Sequence, residues 1–375
     1  MQRASEFNEI DEWLAIQRDF YKSGLDPTGT PFLYSVHGLL SLNDPRTSYW
    51  LFQYVSSIAF VIGIGLLGLA FGLDPWQWLM AAGMLLLLSL PVMCDISVAN
   101  VNRLQIFQIG LMGWLLVSTL KDRRLFWCGL IFGLATLYKP TVMFAGALLC
   151  LVMLIDRRFN QLGFFVFGAA IALVVVIIGT AIHLDLSWFD WKNYVSKLWN
   201  RPLPDSIQWA NLASTSLVPQ SMWRFATLSF TVVLSGLFCI RAWHTRNRSG
   251  HANPESPIGI RELTAVMSGL LVPLVAGPLA WGHYFTLAIP IGILLVVAGL
   301  RGDGCPNGER NWALLSFGAA GLFLVQMVPV AHIPNSPDSV MIDALCVQFG
   351  VLLLFCGAWF ALAIPAQRLA EPISD

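Results

Sequence analysis

The sequence predicts an all-α integral membrane protein that crosses the bilayer many times. Of its 375 residues, 56% are hydrophobic and 12% are charged, whereas soluble proteins carry about 25% charged residues. Residues 47–73, 159–184 and 263–300 contain no Asp, Glu, Lys or Arg. Since about 20 apolar helical residues cross a bilayer core, each stretch can span it. These stretches do not alternate apolar and polar residues as barrel strands do, which favours helices.

Charges, glycines and prolines divide the chain into about 11 membrane helical segments, two of them forming a short, broken pair at 125–155. The N-terminal segments 8–22 and 32–42 are predicted to be interfacial helices. We predict membrane helices at residues 47–73, 75–94, 104–120, 125–138, 140–155, 159–184, 223–240, 262–277, 284–300, 311–332 and 340–364.

The distribution of basic residues predicts the orientation of these helices. Basic clusters follow alternate spans and favour the cytoplasmic side. Residues 1–46 and the loop 185–222 then lie outside the cytoplasm, and the tail 365–375 lies inside it. The clusters are Lys121 with Arg123 and Arg124, Arg157 with Arg158, Arg241 with Arg246 and Arg248, Arg301 with Arg310, and Arg368.

We predict a single integral membrane domain over residues 1–375, with helix groups at 47–184 and 223–364. The loop 185–222 begins as an amphipathic segment with three tryptophans, which is typical of a helix in the headgroup layer. A net charge of zero gives no indication of a nucleic-acid partner. The seven cysteines show no CxxC or metal spacing and are predicted to be core residues. The N-terminal "MQRASEFNEIDEW" lacks the apolar stretch of a signal peptide.

The stretch "LATLYKPTVMF" places Lys139 and Pro140 inside an apolar run. Because basic pairs flank this run on both sides, it leaves from and returns to one side of the membrane. Its two legs are roughly 21 to 24 Å long at 1.5 Å per residue, and Pro140 ends the first. Lys139 is therefore predicted at a hairpin tip near the outer leaflet, where it either binds an anionic headgroup or extends to the interface from a loop.

A second irregular point is "AGPLAWGHYFTLAIP", residues 276–290. Its glycines and proline predict an outer turn that presents Trp281, His283 and Tyr284. A histidine there could bind a phosphate or a hydroxyl, or carry a proton. The alternative is an aromatic interfacial turn without a further role.

A third polar point is "CDISVANVNRLQIFQIG", residues 94–110. Asn102, Gln105 and Gln108 recur at about one helical turn, which makes one face of the next helix polar. Amides suit hydroxyl recognition, and Arg103 suits an anionic oxygen. Polar contacts between helices are the alternative.

The N-terminal region 1–46 is acidic and is predicted to lie beside these points. One positioned carboxylate in it could deprotonate a hydroxyl, although for any single acid the local sequence favours a solvated loop charge. Together, an acid, amides, an imidazole and a lysine suit sugar transfer from a lipid phosphate to a hydroxyl. The acids in residues 8–34 of this region are Glu9, Asp11, Glu12, Asp19 and Asp26.

These motifs resemble glycosyltransferase family 87, a group in the GT-C class of polyprenyl-phosphate-sugar-dependent enzymes. The resemblance rests on "ANVNRLQ", "GLATLYKP", "AWGHYFTLAIP" and the acidic "DEWLAIQRDFYKSGLDPTGTPFLYS", in the family's order, over residues 8–300. It implies a GT-C-like fold and an inverting, metal-independent hexosyltransferase of the plasma (inner) membrane. The implied donor is a polyprenyl-phosphate sugar, with mannose favoured, and the acceptor is a glycan or glycolipid.

The resemblance also implies roles for individual residues, without a cofactor or metal. Asp11 matches the family's proposed base. Lys139, His283 and Arg103 would bind the donor phosphate, and Asn102, Asn211, Trp281 and Tyr284 the sugar or acceptor. Metal independence follows from the lack of a DxD-like acidic pair.

The sequence also departs from the family pattern. Family members usually have a membrane helix before the acidic loop, and this chain is expected to lack it. Gly282 stands where an acid often precedes the histidine. Because of these departures, one alternative is an inactive family relative that acts as an assembly partner. A lipid-linked-sugar flippase or small-solute transporter is another, since such proteins also contain broken helices and intramembrane charge.

Overall fold

The computed structural model describes residues 30–39, 44–97, 100–117, 123–184, 191–192, 196, 222–246, 259–276, 282–303, 310–327 and 337–364, and the regular elements in these ranges are all helices. The α-helices are α1 (Pro31–Leu39), α2 (Pro45–Ala70), α3 (Pro75–Leu88), α4 (Leu90–Ser97), α5 (Asn102–Val117), α6 (Arg123–Tyr138), α7 (Met143–Ile155), α8 (Phe159–Leu184), α9 (Trp223–Arg246), α10 (Ile260–Gly269), α11 (Val272–Ala276), α12 (Ile289–Arg301), α13 (Trp312–Met327) and α14 (Pro337–Ala361). Two 3-10 helices, Pro140–Val142 and Gly282–Ala288, precede α7 and α12.

The all-α prediction is confirmed for the described residues, and each of the predicted membrane segments contains a helix. α1 matches the helix predicted at 32–42, whereas the one at 8–22 lies outside the described residues. Four helices of the described chain are long and apolar enough to cross a bilayer, or up to five when the bent pair α3–α4 counts as one span. Several others are shorter apolar helices. The count of about 11 spans therefore stays a prediction.

The predicted helix 75–94 is divided by a sharp bend. α3 and α4 meet at 65°, and Ser89 between them has an extended backbone. Pro91 lacks the N–H that would continue the helical ladder. Buried Ser89 also hydrogen-bonds through its hydroxyl to the side chain of Gln326 on α13. The bend is thus supported by tertiary contacts that the local sequence does not reveal.

α2 begins at a well-formed cap outside the membrane segment. Asp44 accepts hydrogen bonds from the backbone N–H groups of Arg46 and Thr47 at 3.2 and 2.9 Å, and Pro45 fills the first helical position. The hydrogen bond from the Thr47 hydroxyl is the main cause that lowers the pKa of Asp44. Because the pKa is lowered, the cap stabilises the helix fully above the usual carboxyl pKa and loses this effect as the pH falls through the lowered pKa of Asp44.

Close approaches through glycines show how the helices run relative to one another. Gly63 of α2 lies against Phe107 of α5, while Gln53 contacts Arg103 earlier on both helices, so α2 and α5 run parallel. Gly269 of α10 lies against the start of α7, and Arg261 contacts Asp156 at its end, so these two helices run antiparallel. These directions agree with the threading predicted from the basic clusters.

A buried ionic cluster closes the bundle at one end, called here the Asp156 end. The guanidinium of Arg261 donates two hydrogen bonds to the Asp156 carboxylate at 3.0 Å each, and a third to the Thr245 hydroxyl at 2.7 Å. Glu262 pairs with Arg158 at 3.4 Å. The sequence pattern predicts only a basic cytoplasmic loop here and does not indicate the buried acids.

Candidate functional site

Three helix breaks meet at the opposite end of the bundle, called here the Lys139 end. The first is the extended residue Lys139 between α6 and Pro140, the second is the turn from α4 to α5, and the third is the 3-10 helix Gly282–Ala288. α7 runs from beside Lys139 to Asp156, so its 13 residues place the two ends about 20 Å apart at 1.5 Å per residue. The hairpin tip predicted at residues 138–140 is confirmed as a helix break.

Lys139 joins these three breaks through its ammonium group. Its Nζ donates hydrogen bonds to Asn102 Oδ1 at 2.7 Å and Asn100 Oδ1 at 3.1 Å. It also lies over the ring of Tyr284, 3.9 Å from the centroid. Lys139 is only 8% exposed, and among the described residues it forms no ion pair. Three neutral groups therefore hold a largely buried cation.

Arg103 lies nearby but is held by other partners. Its Nε donates to the Asp95 carboxylate at 2.8 Å, and both side chains are 0% exposed. Its terminal nitrogens donate to the Ser57 hydroxyl at 2.7 Å and to the side-chain oxygen of Gln53. The guanidinium is therefore occupied by protein groups, and the predicted role of Arg103 in binding a donor phosphate remains a prediction.

Apolar side chains pack beside the helix break at Lys139. Tyr138, Phe52 and Val101 form a small buried cluster, on which Phe32 of α1 packs. The Thr30 hydroxyl donates to the Tyr138 carbonyl at 3.2 Å. Thr30, four residues after Asp26 in the acidic N-terminal region, is thus anchored one residue from Lys139.

The 3-10 helix Gly282–Ala288 is anchored by a glutamine side chain of α13. Gln326 of α13 donates through Nε2 to the Phe285 carbonyl at 3.1 Å, while its Oε1 contacts the Ser89 hydroxyl. Phe285 is fully buried. Gln326 therefore connects the α3–α4 bend to the element that carries Tyr284.

The structure brings together Lys139, Asn102 and Tyr284, three of the residues predicted for the site. His283 lies in the same 3-10 helix, one residue before Tyr284, but its side chain is outside the described part. Three further predicted residues lie outside the described residues: Asp11, Asn211 and Trp281.

Gln53 and Ser57 also belong to this region, although no motif of the sequence indicated them. They are four residues apart on α2 and therefore share one helix face. A polar pair at that spacing in an otherwise apolar stretch is the signal that could have indicated them. What it could not indicate is the partner, because Arg103 is 46 residues beyond Ser57.

The fold and site define a multi-pass membrane protein that holds a cation among polar helix breaks at one end. The model of glycosyltransferase family 87 matches residues 27–273 of the chain. The chain belongs to glycosyltransferase family 87, as its motifs predicted. The matched range includes Asn102, Arg103 and Lys139, follows Asp11 and ends before His283. No curated protein and no solved structure matches the chain.

Proposed function

We propose that this membrane glycosyltransferase moves a hexose, with mannose favoured, from a polyprenyl-phosphate donor to a hydroxyl of a glycan or glycolipid on the extracytoplasmic face. The observation that carries the proposal is the Lys139 ammonium, held at three helix breaks by two amide oxygens and an aromatic face. A buried cation without a carboxylate partner among the described residues suits an anionic ligand. A lipid phosphate supplies that charge at membrane depth.

In the proposed complex Lys139 binds a donor phosphate oxygen and stabilises the charge that grows on it as the glycosidic bond breaks. His283, beside Tyr284 in the chain, is proposed as a second phosphate ligand. Arg103 would have to exchange one of its present partners to reach the phosphate. Among the residues proposed to contact the phosphate, Lys139 therefore has the strongest geometric support.

The proposed reaction is a single displacement that inverts the configuration at the sugar. The acceptor oxygen forms a bond to C1 while the bond from C1 to the phosphate oxygen breaks. Asp11 takes the proton of the acceptor hydroxyl, and the polyprenyl phosphate leaves with the electron pair of the broken bond. The anchoring of Thr30 beside Tyr138 supports a position of the acidic loop close to Lys139.

Amide and aromatic side chains are proposed to hold the sugar and the acceptor. Asn102, Asn211, Trp281 and Tyr284 can donate or accept hydrogen bonds or stack on a sugar face. Of these, Asn102 and Tyr284 contact Lys139 directly, so a sugar bound by them would lie next to the phosphate. The proposal includes no cofactor and no metal.

We expect membranes containing the protein to transfer radiolabel from polyprenyl-phosphate mannose into a lipid extract, without inhibition by EDTA. Lys139→Met should lower transfer at least about 100-fold, because the phosphate loses its positively charged ligand. Lys192→Met is the matched control. Lys192 is the other lysine whose side chain the structure describes, and it is exposed, so this variant should retain transfer.

Asp11→Asn should abolish transfer while the protein level and membrane insertion persist, since the amide cannot accept the acceptor proton. Turnover at the wild-type rate by this variant would remove Asp11 from the mechanism. A wild-type protein that moves the lipid-linked sugar across the bilayer without transferring it would instead support the flippase alternative.

A further inference from the structure

Asp95 of α4 spans the turn that leads into α5. Its backbone oxygen accepts a hydrogen bond from the Asn100 N–H at 3.0 Å. Its side-chain oxygens accept from the Asn102 N–H at 3.3 Å and from Arg103 Nε at 2.8 Å. A single buried residue thus fixes three positions of the turn.

The partners of Arg103 extend this arrangement into a closed loop of hydrogen bonds. Arg103 donates to Ser57 and Gln53 on α2. Gln53 in turn donates through Nε2 to the carbonyl of Ile96 at 2.7 Å, the residue that follows Asp95. α2, α4 and α5 are therefore tied together around Asp95.

The turn fixed by Asp95 carries both amides that hold Lys139. Asn100 and Asn102 accept from the Lys139 ammonium, so a displaced turn moves both oxygens away from it. We infer that Asp95 is a positioning residue, which sets the place of the Lys139 ammonium through Asn100 and Asn102 for the recognition of a lipid phosphate. This inference rests on the proposed function, because it assumes that Lys139 binds the phosphate.

A purely structural role is the competing explanation, and the molecule offers a matched control for it. Asp156 forms an equally buried ion pair with Arg261 at the other end of α7, about 20 Å from Lys139 by the length of that helix. Neutralising either aspartate leaves a buried arginine without its charged partner, and this destabilises the fold in both cases. Of the two changes, only the one at Asp95 should weaken the binding of the lipid phosphate to Lys139.

The test measures binding of polyprenyl monophosphate to the purified full-length protein in nanodiscs, followed by intrinsic tryptophan fluorescence. We expect Asp95→Asn to raise the Kd about tenfold, the scale of losing a charge-assisted hydrogen bond. Asp156→Asn should lower the melting temperature to a similar extent and leave the Kd within about twofold of the wild type.

A double-mutant cycle separates positioning from a general loss of structure. In the Lys139→Met background, Asp95→Asn should change the remaining affinity by less than about twofold, because the group that it positions is already absent. Equal losses in both backgrounds would show that Asp95 acts independently of Lys139 and would overturn the inference.

A further variant serves if Asp95→Asn does not accumulate. Ser57→Ala deletes one hydroxyl and should raise the Kd about threefold. The control is Ser56→Ala. Among the described contacts, the Ser56 hydroxyl donates only to backbone carbonyls of α2 itself, so this variant should leave the Kd unchanged.

The outcomes separate the inference from the proposed function. Absence of polyprenyl monophosphate binding by the wild type, or full binding by Lys139→Met, would overturn the proposed function. Binding that is lost in Lys139→Met but unchanged in all the Asp95 and Ser57 variants that fold would overturn only the positioning role.

Discussion

At the residue scale, the central feature is a lysine whose hydrogen-bond and ring partners, among the described residues, are all neutral. Two amide oxygens accept hydrogen bonds from the ammonium and one ring face lies against it. None of these three groups carries a negative charge. Such an arrangement leaves the ammonium without a carboxylate hydrogen-bond partner among the described residues, which agrees with the proposed anionic ligand. By contrast, the arginines at both ends, Arg103 and Arg261, are paired with buried carboxylates.

We predict that the aromatic ring of Tyr284, rather than its hydroxyl, holds the ammonium. Tyr284→Leu removes the ring and should raise the donor KM about fivefold, the equivalent of about 1 kcal/mol of cation–π interaction. Tyr284→Phe keeps the ring face and should stay within about twofold of the wild type. Transfer from polyprenyl-phosphate mannose at varied donor concentration measures both values, and an equal loss in the two variants would assign the effect to the hydroxyl.

The sequence predicted Lys139, Asn102 and Tyr284 as one site because each lies at a helix break on the same predicted side. It could not predict that Arg103 pairs with Asp95, since both were polar residues of one turn with no visible partner. The deciding contacts come from Gln53 and Ser57 on another helix. The two missed residues show that polar spacing inside an apolar helix was the available signal.

At the element scale, glycines determine how closely the helices pack. Gly129 and Gly133 on α6 form a small-residue stripe that faces α8. A Cβ on Gly129 would overlap the carbonyl oxygen of Phe165, and a Cβ on Gly168 would overlap that of Phe126. Because α6 ends at Tyr138, this contact also sets the position of the helix break at Lys139.

We predict that Gly129→Ala and Gly168→Ala each destabilise the protein by about 1–3 kcal/mol, the usual scale of overpacking. Gly163 lies on the same helix as Gly168, and a Cβ there would meet nothing within 4 Å. Gly163→Ala should therefore be neutral or slightly stabilising through helix propensity. Thermal unfolding of the purified variants in detergent distinguishes the two cases, and equal melting temperatures for all three would contradict the packing explanation.

Helix breaks were predictable where proline and charge coincide and not where proline stands alone. Pro140 follows a lysine, and both features pointed to the break that the structure shows. Pro91 lies in an apolar run, and the next charged residue, Asp95, is four positions further on. Membrane helices tolerate prolines when neighbours satisfy the freed backbone groups. At the bend, the Ser89 hydroxyl accepts a hydrogen bond from the Val92 N–H and donates one to Gln326, which is remote in sequence.

At the scale of the whole molecule, the bundle carries two buried polar clusters of different character at its two ends. At the Asp156 end, two acids and two arginines pair with one another. At the Lys139 end, one ion pair lies beside a cation with neutral partners. The first arrangement is suited to fixing the ends of α7, α9 and α10, and the second is suited to binding a charged substrate. The distinction supports placing the candidate site at the Lys139 end.

The compartment that the Lys139 end faces can be tested through the loops that leave each end. α6 and α8 run parallel, since Gly129 lies against Phe165 and Gly133 against Ala169. α8 therefore finishes at the Lys139 end, and the loop 185–222 leaves from there. Thr245, near the end of α9, contacts Arg261, so the loop 247–258 leaves from the Asp156 end.

We predict that alkaline phosphatase inserted after residue 210 is active and that the same insertion after residue 250 is inactive. This follows from the positive-inside rule, because the basic clusters flank the loops of the Asp156 end. A fluorescent protein inserted at the same two positions should give the opposite pattern, which controls for expression. Phosphatase activity only after residue 250 would place Lys139 on the cytoplasmic side. The donor would then have to be presented from the cytosol, so the orientation of two loops decides which pool of lipid-linked sugar the enzyme can reach.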